Sequence, residues 1–155
     1  MSDTLLNGPW EQAFYVDLPA QLRSKSNYRR GKKGWGALAT FEAVTASVLQ
    51  QYRPEGWDLG EANAPVKERP TVVIAVAATS MLDSSNFTKS LADAMEGVLV
   101  HNDASIAANA SISLRAKNDQ RCGVAMAQLS AGATLTEQSE ALQRLLAQLP
   151  TLFEG

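Results

Sequence analysis

Residues 71–78 read Thr71-Val72-Val73-Ile74-Ala75-Val76-Ala77-Ala78, β-branched at the start and apolar throughout. A run this short and this apolar is the pattern of a central strand buried on both faces. Working outward, Gln12 to Leu18 alternates through Phe14, Val16 and Leu18 and then meets Pro19, as expected of a first strand stopped by a residue that cannot donate to a ladder. Ala110 to Arg115 and Cys122 to Gln128 alternate around Lys117 to Gln120, which predicts a β-hairpin.

Three helices are expected around these strands. Leu38, Phe41, Val48 and Tyr52 recur at helical spacing between about Ala37 and Tyr52, before Pro54 and Gly56. Glu55 to Pro70, rich in acids, prolines and glycines, reads as an exposed connection. After Asp83, Ser84 and Ser85, all good capping types, a second helix is predicted from about Asn86 to Glu96, with Phe87, Leu91, Met95 and Val98 along one side and Gly97 closing it. The apolar residues Val98 to Val100 form a short strand in this reading. Thr134 followed by Glu137 is a capping box, and Leu142, Leu145, Leu146 and Leu149 define an amphipathic last helix ended by Pro150. That stripe is packing surface, either within the protomer or against another chain.

The sum is a small α+β domain, a mixed sheet with two to three helices. It spans residues 1–155 as one unit, with an N-terminal tail at 1–11 and the additional C-terminal helix at 134–150. A chain of 155 residues with 45% hydrophobic side chains and net charge −2 has enough apolar content for one core, which excludes disordered and collagen-like classes. No apolar run approaches the roughly 20 residues of a membrane helix, and no charged-then-apolar leader opens the sequence, so a cytoplasmic location with no membrane partner is expected. With one cysteine, Cys122, and one histidine, His101, a Cys/His zinc site is excluded, and any metal must sit on oxygens. Phosphate-cradling P-loops, dinucleotide fingerprints and serine-hydrolase elbows are absent from the sequence.

Charge is unevenly spread. Arg23, Lys25, Arg29, Arg30, Lys32 and Lys33 fall within eleven positions, with no acid between Asp17 and Glu42. Such a segment is either a solvated loop or a phosphate-binding one. Asn27, Tyr28 and Trp35 are interleaved with the cations and suit contacts to sugars or unstacked bases. Further on, Asn86, Lys89 and Asp93 share one face of the second helix, while Phe87, Leu91 and Met95 take another. Asp83 stands before this helix and Asp103 after the short strand that follows it. Two carboxylates converging from separate elements, with a lysine nearby, suit a hard cation and a phosphodiester. The plainer alternative is that Asp83 caps the helix, Lys89 and Asp93 form an ordinary i,i+4 pair, and Asp103 is a turn residue. His101 stands either beside this site as a ligand or in a turn as a packing residue.

The string Leu82-Asp83-Ser84-Ser85-Asn86-Phe87-Thr88-Lys89-Ser90-Leu91-Ala92-Asp93-Ala94-Met95, followed by Gly97-Val98-Leu99-Val100-His101-Asn102-Asp103, resembles the signature of the RusA family of Holliday junction resolvases. Val16-Asp17-Leu18-Pro19 and Ser26-Asn27-Tyr28-Arg29 are similar to that family's opening strand and basic loop, and the resemblance runs from about Phe14 to Gln128. It implies a RusA-like fold and a homodimeric endodeoxyribonuclease that nicks branched DNA with Mg2+, or in its place Mn2+. Asp83 and Asp103 would then be the metal-binding catalytic carboxylates, and Lys89 would stabilise the phosphate. Ser85, Asn86, Asp93 and Asn102 would support the site, while Lys25, Asn27, Arg29, Arg30, Lys32 and Lys33 would contact DNA. Ser85 and Asn102 stand where the family has aspartates, so the alternative to the nuclease is a catalytically weak or inactive DNA-binding homodimer. A protein-interaction domain using the last helix is a third alternative.

Overall fold

A computed structural model describes residues 8–18, 43–61, 63–79, 91, 93–101, 106–114 and 122–154. Four strands are described: β1 (Gln12–Leu18), β2 (Thr71–Thr79), β3 (Ile106–Leu114) and β4 (Cys122–Leu129). Helix α1 covers 43–52, α2 is helical at 91 and 93–95, and α3 is Leu135–Glu154. A single 3-10 turn occupies Val66–Glu68. The sheet order is β1-β4-β2-β3, with β4 antiparallel to both β1 and β2 and β3 parallel to β2. This is the small α+β mixed sheet expected from the sequence.

The expected hairpin between the last two strands does not form, because β2 lies between β3 and β4. Burial explains the order. Every residue of β4 is buried, as a central strand requires, whereas β3 alternates between half-buried and exposed, as an edge strand does.

Alternation in β2 sets the thickness of the two outer layers. Val72, Ile74, Val76 and Ala78 face α1 and α2, together with Phe14, Val16, Leu18, Leu49, Leu91, Met95, Val124 and Met126. Val73, Ala75 and Ala77 face α3 beside Tyr15, Ala125 and Ala127, against Ala141, Leu145, Leu149 and Leu152. Alanines on that face leave room for the last helix to lie close to the sheet, with bulk supplied by its leucines. The leucine stripe is therefore internal packing, which removes the interaction-domain reading of α3.

Local details follow from residue chemistry. The Thr134 amide donates to Glu137 Oε1 at 2.9 Å and the Glu137 amide to Thr134 Oγ1 at 3.1 Å, the reciprocal bonds of a capping box. These bonds favour the carboxylate and hold Glu137 below its ordinary pKa. Pro150 lies inside α3 instead of ending it. Its ring is on the exposed side, while Leu149 and Leu152 on either side are buried and hold the last turn to the sheet. At Gly123 a Cβ would lie 2.2 Å from the Tyr15 hydroxyl, so only glycine lets that ring cross the strand, where its hydroxyl donates to Asp17 Oδ1 at 2.6 Å.

Helix α1 turns differently from its expected face. Thr45 and Leu49 are fully buried, Val48 is half-buried and Tyr52 is exposed. Among the described residues the Thr45 hydroxyl finds no hydrogen-bond partner, which leaves a desolvation penalty. Thr45→Val keeps the β-branched shape and removes that penalty. It is expected to raise the unfolding free energy by about 1 kcal/mol, read from urea denaturation. A loss of stability would show that the hydroxyl has a partner in solution.

Candidate functional site

Of the site residues inferred from sequence, Asp93 and His101 are described. Asp83, Ser85, Asn86, Lys89, Asn102, Asp103 and the cationic positions Lys25, Asn27, Arg29, Arg30, Lys32 and Lys33 lie outside the described residues, as do Tyr28 and Trp35. What the structure supplies is the frame from which those segments depart. Leu18 at the end of β1 pairs with Cys122 at the start of β4, and Cys122 pairs with Ala78 near the end of β2. Thr79 pairs with Leu114, the last residue of β3. All three of β1, β2 and β3 therefore finish at one end of the sheet, where β4 begins.

Three segments leave the sheet from that end. The cationic segment departs from Leu18, and the segment with Asp83 and Lys89 departs from Thr79. The connection 115–121, with Arg115, Lys117, Asp119 and Arg121, departs from Leu114. In sheets with parallel strands, ligand sites form beyond the carboxyl ends of those strands, which is this end for β2 and β3. The opposite end is acidic. Glu11, Asp58, Glu61 and Glu68 line a cleft there of about 610 Å³.

The parallel pairing also constrains the two acids. Val72 pairs with Ile106, so the start of β3 lies at the acidic end, seven residues of β2 below Thr79. At about 3.3 Å per residue that is roughly 23 Å along the sheet. Asp83 is four residues beyond Thr79 and Asp103 three before Ile106. Fully extended, those seven residues span about 24 Å, close to that separation before the reach of the two side chains is added. Helix α2 closes on the way. Its last turn ends at Met95, Gly97 has φ +82°, and the Gly97 amide donates to the Val100 carbonyl at 2.7 Å. Val98 to Val100 is thus a turn with a single bridge between Glu96 and Val100, not the short strand expected.

A brace that sequence reasoning missed holds this turn. Arg53 Nη1 donates to the Val98 carbonyl at 2.7 Å, and Trp57 Nε1 donates to the Leu99 carbonyl at 3.0 Å. His101 Nε2 donates to the Gly60 carbonyl at 2.7 Å, since a carbonyl can only accept. That bond makes His101 a packing residue at Nε2. The same connection is tied to β4, where the buried Gln128 side chain donates to the Asp58 carbonyl and accepts from the Asp58 amide. The signals were a tryptophan in a polar stretch and a glutamine in an apolar strand, both buried because their polar atoms find main-chain partners.

Two other groups are assigned by their surroundings. Asp93 is half-buried on α2. Cys122 is buried at the start of β4, and burial, reinforced by the charge of Asp17, pushes its thiol far above the ordinary range, so it is no nucleophile at neutral pH. Among the described residues no group of three His, Cys, Asp or Glu side chains is placed to hold a metal ion, and no helix is long and apolar enough to cross a membrane.

No family model matches the chain, and no curated protein matches it.

Proposed function

We propose that this protein is a structure-selective endodeoxyribonuclease acting on Holliday junctions or related branched DNA with Mg2+ (or Mn2+), and that it works as a homodimer. The observation that supports the reading is that Leu18, Thr79 and Leu114, the strand ends followed in sequence by the cationic segment, the Asp83–Lys89 segment and the 115–121 connection, lie at one end of the sheet, opposite an acidic cleft. Arg29, Arg30, Lys32 and Lys33 hold backbone phosphates, with Lys25 and Asn27 beside them. Asp83 and Asp103, with the oxygens of Ser85 and Asn102, make an all-oxygen donor set of the kind a hard cation takes. Bound there, Mg2+ supplies Lewis-acid activation of the scissile phosphate and its attacking water. Lys89 neutralises charge that builds on the phosphate oxygens, and Asn86 and Asp93 orient it from the same helix face.

The test is incubation of the full chain with a synthetic four-way junction and Mg2+. Paired nicks in opposing strands are expected, and intact junctions across Mg2+ and Mn2+ concentrations would overturn the enzyme reading. Neutral Ser85 and Asn102, together with the distance between the strand ends that flank Asp83 and Asp103, favour one second reading, a DNA-binding homodimer that does not cut. Junction binding with no cleavage, and cleavage gained in Ser85→Asp, is the result that reading predicts.

Both readings share a salt dependence. Replacing Arg29, Arg30, Lys32 and Lys33 by alanine removes up to four counterion-releasing contacts. The slope of log affinity against log salt is expected to flatten by up to about 3.5, since each contact contributes about 0.9. An unchanged slope and affinity would remove the cationic segment from the DNA surface.

A further inference from the structure

We draw no further inference here: the strongest candidate, the cleft of about 610 Å³ between the 58–70 connection and the end of β4, lined by Glu11, Asp58, Glu61 and Glu68, is a cluster of acidic side chains, and nothing else among the described residues shows what it would bind.

Discussion

Trp57→Ala is expected to lower the unfolding free energy by about 3–5 kcal/mol, the range for removing a buried aromatic ring from a packed core. Trp57 is 8% exposed, although it lies in a stretch of mostly exposed residues. Its ring meets Phe14 edge to face, with centroids 5.4 Å apart and planes at 83°, and its indole N–H is donated to the Leu99 carbonyl. Truncation would open a cavity beneath β1 and leave that carbonyl without its partner. Trp57→Phe separates the two losses, because it keeps a ring against Phe14 and removes only the donor, for about 1–2 kcal/mol. Urea unfolding of the three proteins checks this order. An alanine variant within about 1 kcal/mol of the parent would mean that the ring is not part of the core.

The second large effect is chemical. Asp103→Asn is expected to reduce Mg2+-dependent nicking of a four-way junction by about 100-fold or more, the scale on which loss of one charge-stabilising group acts in a transition state. Junction affinity should be unchanged, because in this reading it comes from the cationic segment. Single-turnover cleavage alongside equilibrium binding separates the two quantities. Equal loss of binding and cleavage would make Asp103 a structural residue whose change disturbs the turn braced by Arg53, Trp57 and His101.

Local patterns were readable where a single element decided them. The alternation of Phe14, Val16 and Leu18 corresponds to β1, the apolar run from Thr71 to β2, and the Thr134 and Glu137 pair to the start of α3. Reading failed where the deciding partner is distant in sequence. Two alternating runs around a polar turn look the same whether the strands touch or stand on either side of a third, and here β2 takes the place between them. Helix α1 buries Thr45 and exposes Tyr52, an inversion of residue preference that depends on how the helix seats on Leu49 and the sheet. Pro150 continues its helix because Leu149 and Leu152 are anchored on residues far up the chain. The candidate site shows the same division. Its residue types and helical spacing are local and legible, but the end of the sheet to which each segment is delivered follows from strand direction, and no spacing motif encodes that.

Whether Asp83 and Asp103 converge on one cation decides the account. A crystal of the full chain soaked in Mn2+ measures it directly through the anomalous signal of the metal. The account predicts one peak near the carboxyl end of β2, with oxygens of Asp83 and Asp103 both coordinating it at about 2.0–2.2 Å. Carboxylates that share no peak, or a peak that touches neither, would contradict it.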